Sequence, residues 1–350
     1  MKVSNISLSP NEKIGLISNL GTMLTAGIPI MDAVESLLED SKSNVKIVLT
    51  RLRDDLAQGK RISASFSNFP KSFDRVTLNV LKASEEAGTL EAALKDIKIS
   101  VQKEVEFNDK VKSAMIYPLV ILLLFLAVLG VILVFVVPKI AVVFGRLKVP
   151  LPLPTQIMIA LSDLIMNKTL YFAGGVILFF TIIIVLFKTQ KQLIMSFIYS
   201  LPLISLLVRE IDLTRFSRTL YLLLNAGLTI TASLELAQDV VMRKKTQKII
   251  GESREMVMTG KKLAEGMKKY KGEIPSIMIK LIEVGEKTGS LDKAMLDISE
   301  YLDYQVSGTL KTLIVLMEPL MLIVVGVFVG GMMMAIIAPM YGLIGQIGNR

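Results

Sequence analysis

Two side-chain types that commonly carry out acid–base and nucleophilic chemistry are missing from this chain, although its 31 aspartates and glutamates leave carboxylate chemistry open. Histidine and cysteine are both absent from the 350 residues. Their absence removes imidazole catalysis, thiol nucleophiles, disulfides and the zinc sites built from these ligands. No G-x-x-x-x-G-K-S/T phosphate loop occurs either, so NTP hydrolysis by that route is not expected. We therefore predict a non-enzymatic protein with no catalytic residue, no cofactor and no metal site.

Two carboxylates occupy matching places in the sequence. Glu85 and Glu286 each stand three residues before a glycine, Gly88 or Gly289, at which we expect a helix to end. A carboxylate at such a place is typical of a cap or an ion pair inside a helical bundle. Contact with a partner protein, or with a bound cation, is the alternative interpretation of both residues.

Glu318 is a different case, because it lies inside an apolar segment that is long enough to cross a membrane. An ionisable residue within such a segment is a functional hypothesis by default. Tyr117 stands at the matching position of another apolar segment, so the fold itself does not require an acid there. Two interpretations remain open for Glu318: a functional contact, or an interfacial residue whose side chain extends to water.

The chain is 52% hydrophobic and contains three long apolar runs, the third of which includes Glu318. Met115–Val137 carries no charge over 23 residues, which is enough to cross about 30 Å of hydrocarbon. Leu170–Phe187 and Leu313–Ile337 are the second and third runs. Gly326 and Gly330 give the third run a G-x-x-x-G pair, which favours close packing of membrane helices. We predict three transmembrane helices.

The sequence also matches itself at an offset of 200 or 201 residues. The matching pairs are Leu223–Leu228 with Met23–Ile28, Gly285–Leu291 with Ser84–Leu90, Pro319 with Pro118, and Pro339 with Pro138. They align Gly227 with Gly27 and Gly289 with Gly88, and we interpret these glycines as left-handed caps at helix corners. The repeating unit is therefore a helical bundle of about 100 residues followed by a membrane helix.

The orientation follows from the spacing of the spans and from charge. Two spans separate the repeated modules, so we expect both modules on one side of the membrane. The start MKVSNISLSPNEK has no apolar stretch, which predicts no cleavable signal peptide and a cytoplasmic first module. Lys188 and Lys191 after the second span, against Lys168 before it, favour a cytoplasmic second module. The N-terminus is then cytoplasmic and the C-terminus lies outside.

The predicted fold class is an all-α membrane protein with two repeated cytoplasmic bundles of about six helices each and three transmembrane helices. The net charge of +9 is interleaved with acids, so we expect it to face an anionic bilayer surface or an acidic protein partner, and we expect no nucleic acid. The predicted order is a first module (1–112), a span (113–138), a non-cytoplasmic connector (139–169), a span (170–187), a second module (188–311), a span (312–338) and a tail (339–350).

With these features the chain resembles the type II secretion F / type IV pilus PilC family of inner-membrane platform proteins, over residues 10 to 345. The most specific segments are Arg215–Leu220 leading into Leu222–Gly227, Gly285–Leu291, and Met317-Glu318-Pro319. Arg215 and Arg218 face Gly15 and Ser18 in the first copy, so a role for these arginines is expected in the second module alone.

The resemblance implies a mechanical role in the cell inner membrane. It implies contact with a hexameric secretion or pilus ATPase and with other inner-membrane assembly proteins. It also implies insertion of pilin or pseudopilin subunits into a filament, and a homo-oligomer. Arg215, Arg218, Glu85, Glu286 and Glu318 are the candidate contact or structural residues, and the partner of Glu318 would be a pilin's N-terminal amine.

A small transporter or channel with helical cytoplasmic domains is the alternative function. A transporter usually places polar residues in the middle of several spans. The first two spans offer little beyond Tyr117, Tyr171 and Thr181, which favours the platform. Whether the filament is a pilus, a secretion pseudopilus or a DNA-uptake device stays open, as does the number of copies in the assembly.

Overall fold

The computed structural model describes residues 6–147, 153–190 and 201–347. Within these ranges all regular secondary structure is helical and no strand occurs, so the all-α prediction is confirmed. Part of the predicted connector (148–152), Lys191 and the last three residues of the predicted tail lie outside the described residues. The chain divides into two compact units, residues 1–109 with 203–309 and residues 110–202 with 310–350, which we call unit 1 and unit 2.

Unit 1 contains two series of helices, which we call the first module (1–109) and the second module (203–309). The first module holds α1 (Pro10–Thr25), α2 (Ile30–Asp40), α3 (Ser43–Ala57), α4 (Ile62–Phe66), α5 (Arg75–Ala87) and the start of α6 (Leu90–Val131). The second holds α10 (Pro202–Asn225), α11 (Ile230–Asp239), α12 (Lys244–Met258), α13 (Leu263–Lys268), α14 (Ser276–Thr288) and the start of α15 (Leu291–Ile347).

Local chemistry sets the ends of these helices. At the start of α1, Ser9 Oγ accepts a hydrogen bond from Glu12 N at 3.3 Å, and the Glu12 carboxylate accepts one from Ser9 N at 2.7 Å. This reciprocal pair satisfies two backbone donors that the helix leaves free. At the other end, α5 and α14 stop at Gly88 and Gly289, whose φ angles of 69° and 70° are left-handed. A side chain is strained in that region, so glycine is the natural residue there.

One helix, α10, contributes buried side chains to the apolar clusters of both modules of unit 1. Its residues Leu213, Phe216 and Leu220 are buried in an apolar cluster formed by the second module. Further along the helix, Leu222 and Leu223 are buried in the cluster of the first module. Burial of each such side chain contributes about 1.5–3 kcal/mol, so α10 stabilises both clusters at once.

Unit 2 holds the remainder of α6 and α15, a π-helical turn (Ile132–Val136), α7 (Val137–Leu147), α8 (Leu153–Met166) and α9 (Thr169–Thr189). Two helical stretches, Leu90–Val143 and Leu291–Ile337, contain segments long and apolar enough to cross a membrane. They contain the first and third predicted spans. The second predicted span, Leu170–Phe187, lies within α9 and stays a prediction. The short apolar helix α8 lies where the sequence predicted only a connector.

Proline explains the π-helical turn. Val137 N donates to Ile132 O, five residues back, and the next donor in that pattern would be Pro138, which has no N–H group. The carbonyl of Leu133 therefore has no helical donor. Ser162 of α8, 3% exposed, donates its hydroxyl to this carbonyl at 2.6 Å. A hydroxyl from a neighbouring helix thus satisfies the backbone group that the proline leaves free.

The same arrangement occurs on α15. Pro339 cannot donate to the carbonyl of Ala335, four residues earlier. Thr155 of α8, also 3% exposed, donates its hydroxyl to Ala335 O at 2.5 Å. Thr155 and Ser162 are seven residues apart, and two helical turns place them on one face of α8. We call this pair the hydroxyl clamp. Each of its hydroxyls donates to a backbone carbonyl that one of the two repeat-aligned prolines leaves without a donor.

Candidate functional site

The candidate site is unit 1, where four of the five ionisable residues singled out from the sequence lie. Glu85 and Glu286 occupy equivalent positions near the ends of α5 and α14. The Glu85 carboxylate accepts hydrogen bonds from Ile62 N at 2.5 Å and Ser63 N at 3.2 Å, at the start of α4. It thereby caps backbone donors that a helix start leaves free and places negative charge at the positive end of the helix.

Glu286 makes the same contacts in the second module. Its carboxylate accepts hydrogen bonds from Leu263 N at 2.5 Å and Ala264 N at 3.1 Å, at the start of α13. Each glutamate therefore fixes a short helix against the end of a longer one. This geometry supports the structural interpretation of Glu85 and Glu286, and it leaves little carboxylate surface for a partner.

The sequence pattern around these caps also has a steric reason. A Cβ atom on Gly285 would lie 2.7 Å from the Cβ of Ala294 and 3.1 Å from the Cα of Leu291. Ser84 is tolerated at the equivalent place in the first module, where its hydroxyl donates to Leu81 O at 2.9 Å. Gly27 and Gly227 have φ angles of 78° and 88° and close the turns after α1 and α10.

Arg215 and Arg218 lie on α10 beside a cavity of about 200 Å³ inside unit 1. Arg218 pairs with Asp303 of α15, and their side chains are 16% and 30% exposed. Arg215 lies 3.9 Å from Glu104 of α6 and is more exposed. The two arginines therefore pair with the last helix of each module. In this structure both act first as internal contacts of unit 1.

A second set of polar contacts also joins the modules, and the sequence did not predict it. Asp96 of α6 accepts hydrogen bonds from Asn225 Nδ2 at 2.8 Å and from the Tyr221 hydroxyl at 3.2 Å. Burial, together with the charge of Asp96, raises the pKa of Tyr221 to about 12. Arg75 and Asp239 form an exposed ion pair at 2.9 Å. Asn225 lies in the repeat-matched segment Leu223–Leu228, but no spacing pattern pairs it with Asp96, because that contact depends on how the modules pack.

Asp212 is a buried ionisable residue that no sequence motif identified. Its side chain is fully buried, and its two oxygens accept hydrogen bonds from Met242 N at 2.7 Å and Arg243 N at 2.9 Å. Burial raises the pKa of Asp212, although the two backbone hydrogen bonds oppose that rise. The carboxylate fixes the start of α12 and is enclosed, so its role is to position the helix.

Glu318 lies in unit 2, on the part of α15 that the sequence predicted as a span. Its side chain is exposed, as is that of Lys311 on the same helix. Within the described residues Glu318 makes no hydrogen bond and no ion pair. A charged group without a partner in an apolar segment is costly unless it reaches water or a partner. The structure therefore leaves both interpretations of Glu318 open.

The arrangement is suited to binding and to mechanical linkage. No group of three or more His, Cys, Asp or Glu side chains among the described residues is placed to hold a metal ion. The ionisable groups described above cap helices, as Glu85 and Glu286 do, or pair across the modules, as Arg75 and Asp239 do. Exposed charged and apolar side chains then remain as the means of recognising another protein.

Comparison with known proteins gives a consistent result along the chain. The family described as "Type II secretion system (T2SS), protein F" matches residues 16–138 and again residues 216–339. The chain is 30% identical over 332 residues to the type IV pilus assembly protein PilC of Thermus thermophilus, covering 94% of this chain and 81% of that protein. It is 27% identical over 342 residues to the type II secretion system protein F of Pseudomonas aeruginosa, covering 96% and 84%.

Proposed function

The chain belongs to the type II secretion system protein F family, and from this membership we propose that it is a non-enzymatic platform of a filament-assembly machine in the inner membrane. The family matches the chain twice, over residues 16–138 and 216–339. Its relatives include proteins named for type IV pilus assembly and for type II secretion. This repeated match carries the proposal, because it covers both modules and the apolar helix that follows each.

The proposed membrane arrangement has three spans, Met115–Val137, Leu170–Phe187 and Leu313–Ile337. Two helices of sufficient length and apolar character support the first and third spans. The 21-residue helix α9 supports the second. Both modules then lie in the cytoplasm, with the N-terminus inside and the C-terminus outside. Their assembly into a single compact unit is compatible with a shared compartment.

The absence of cysteine allows a direct test of this orientation. Single cysteines introduced at Lys60 and Lys261, one in each module, should both resist a membrane-impermeant maleimide in intact cells and react after permeabilisation. A cysteine at Asn167, in the proposed outer connector, should react in intact cells and is the control. Labelling of the Lys60 and Lys261 positions from opposite sides would contradict the arrangement.

The proposed partners are a hexameric secretion or pilus ATPase, other inner-membrane assembly proteins and a pilin or pseudopilin. The cytoplasmic modules would contact the ATPase, and the spans would contact the subunit that leaves the bilayer. We further propose that the platform acts as a homo-oligomer. Glu85, Glu286 and Arg218 are assigned to holding the modules in shape, since their contacts lie within unit 1.

Deletion of the gene, followed by complementation, tests the function. Loss of surface filaments or of a secreted protein, restored by the wild-type chain, is the expected result. The prepilin-like proteins should still be made and processed, because the platform acts at assembly. Normal filaments and normal secretion in the deleted strain would overturn the proposal.

Glu318 provides a sharper test within the same strain. Glu318→Gln keeps the size of the side chain and removes the charge, so we expect filament assembly to fall by about tenfold, equivalent to about 1.4 kcal/mol of lost contact. Glu300→Gln, an exposed acid on the same helix within unit 1, is the control. Equal membrane levels of the two variants, measured by blotting, exclude a folding defect. Full assembly with Glu318→Gln would assign the residue to interfacial structure.

A further inference from the structure

The composition of α8 is unlike that of a connector that runs through water. Its 14 residues, Leu153–Met166, include a single charged side chain, Asp163. At 1.5 Å per residue the helix is about 21 Å long, which is too short to cross about 30 Å of hydrocarbon. A short apolar helix of this kind is typical either of a protein core or of a membrane interface. The contacts and the exposure of its side chains decide between the two.

The hydroxyl clamp fixes the depth of α8 relative to the proposed first and third spans. Ser162 donates to the carbonyl of Leu133, and Thr155 donates to that of Ala335. Leu133 lies four residues before the end of the first span, and Ala335 lies two residues before the end of the third. At 1.5 Å per residue, both carbonyls are within about 6 Å of the outer end of a span. The clamp therefore places α8 at the outer edge of the hydrocarbon.

The two clamp residues also set the direction of α8. Thr155 and Ser162 are about 10 Å apart along the helix axis, and they hold two different helices, α15 and α6. These two helices pack against each other in unit 2, where the rings of Phe125 and Phe328 meet edge to face with their centroids 5.5 Å apart. The axes of packed helices are about 8–10 Å apart, which matches the distance between the clamp residues. The helix α8 therefore runs across the two spans, along the plane of the membrane.

The side chains of α8 form three sectors around its axis. The clamp hydroxyls form the buried sector. Gln156 and Asp163 are exposed and form a polar edge, which lies about 100° around the axis from the clamp. The third sector carries large apolar side chains that are 36–73% exposed, namely Leu153, Ile157, Leu161 and Leu164. A polar edge beside an exposed apolar face is typical of a helix that lies in a membrane interface.

We propose that α8 is an interfacial helix whose apolar face lies in the acyl chains of the outer leaflet. We call this surface the lipid face, and it consists of Leu153, Ile157, Leu161 and Leu164. The inference rests on the first and third spans of the proposed membrane arrangement and goes beyond it, because it moves most of the connector from water into the bilayer.

Lipid is the occupant that the depth of α8 supplies. At the level of the clamp the spans themselves expose large apolar side chains, with Phe135 63% and Met334 70% exposed. The lipid face is thus level with apolar surface that the spans present to the bilayer. The polar edge can meet the head groups and water, and Asp163 accepts a hydrogen bond there from Asn167 Nδ2 at 2.6 Å, just after the helix ends.

The chain contains no tryptophan, so a single introduced tryptophan reports on its own surroundings when it is excited apart from the tyrosines. Ile157→Trp and Leu161→Trp place the reporter on the lipid face of the full chain in phosphatidylcholine vesicles. The quenchers are lipids brominated near the head group, lipids brominated near the chain end, and aqueous iodide. Val327→Trp, at a position 70% exposed within the third span, is the reference for the bilayer. Glu39→Trp, at an exposed position of the first module, is the reference for water.

We expect bromine near the head group to reduce the fluorescence of both α8 variants at least about twofold, because an interfacial helix lies about 5–10 Å into the boundary of head groups and acyl chains. Bromine near the chain end should quench them less, whereas Val327→Trp should show the opposite order. Iodide should quench Glu39→Trp strongly and the other three variants weakly. Helix content by circular dichroism should be equal in all four proteins.

Three results would overturn the inference, and they can be told apart. Strong quenching of the α8 variants by iodide, with Val327→Trp still quenched by brominated lipid, would make α8 a connector in water and leave the spans and the proposed function intact. Protection of the α8 variants from all three quenchers would mean that protein, such as a second copy of the chain, covers the lipid face. Failure of both brominated lipids to quench Val327→Trp would contradict the third span itself.

Discussion

Replacing Ser162 with alanine is expected to destabilise unit 2 by about 1–2 kcal/mol. The hydroxyl of Ser162 donates to the carbonyl of Leu133 at 2.6 Å, and Pro138 leaves that carbonyl without a helical donor. The substitution removes few atoms and creates almost no cavity, so the loss measures the unsatisfied carbonyl. Thr155→Val should destabilise unit 2 by a similar amount, because it leaves the carbonyl of Ala335 without its donor. The free energy of unfolding of the double variant should fall by about 2–4 kcal/mol.

Pro138→Ala provides the decisive control for the Ser162 prediction. Alanine has an N–H group, so the π-helical turn can revert to an α-helix and satisfy the carbonyl within α6 and α7. In a protein that carries Pro138→Ala, the further change Ser162→Ala should therefore cost little. The coupling between the two positions should be about 1–2 kcal/mol.

Unfolding of the purified chain in mixed micelles, titrated with dodecyl sulfate and followed by circular dichroism, measures each stability in this cycle. Ser162→Thr is the matched conservative change, because it keeps a hydroxyl at this position and should retain most of the stability. Ser162→Ala could instead lower the free energy of unfolding equally in the wild type and in Pro138→Ala. That result would mean that the hydroxyl does not stabilise the carbonyl that the proline leaves free.

How far the sequence predicts this molecule depends on the range of each interaction. The capping box of Ser9 and Glu12, and the glycines that end α5 and α14, follow from contacts between residues a few positions apart. Such contacts depend on local spacing, so a motif identifies them. The helical character of both modules was predictable for the same reason.

Contacts between elements were not predictable in this way. The repeat aligned Pro138 with Pro339, and two freed carbonyls in apolar segments already require two donors. No pattern selected Thr155 and Ser162 as those donors, because α8 lies in a region predicted as a connector. The pairing of Asp96 with Tyr221 likewise depends on how α6 packs against α10.

Asp55→Asn is expected to lower the free energy of unfolding at pH 7 by about 1.5–3 kcal/mol, because it removes the charge-assisted hydrogen bonds that the buried carboxylate accepts from Arg51 and Lys60. The Asp55 side chain is 1% exposed and pairs with both cations at 2.9 Å. Burial opposes its ionisation, but the hydrogen bond from Lys60 and the two positive charges outweigh burial and lower the pKa of Asp55.

The sign of the pH dependence follows from this lowered pKa. The folded protein holds the Asp55 carboxylate ionised below its ordinary pKa of about 3.9. Its stabilising contribution is complete above that value and is lost as the pH falls through the folded pKa. Thermal unfolding in detergent, followed by circular dichroism between pH 7 and 3, should show a smaller loss on acidification in Asp55→Asn than in the wild type. Asp54→Asn, an exposed acid next in sequence, is the matched control and should follow the wild type.

The two modules should respond to acid in opposite directions. Burial raises the pKa of Asp212, so its contribution to stability increases as the pH falls and is lost as the pH rises through the folded pKa. The residue equivalent to Asp55 in the second module is Met256. The second module therefore lacks the carboxylate whose protonation destabilises the first module in acid. Hydrogen–deuterium exchange should show residues 43–66 losing protection on acidification while residues 244–268 keep or gain it. Equal loss in both segments would mean that neither buried aspartate controls its module's response to pH.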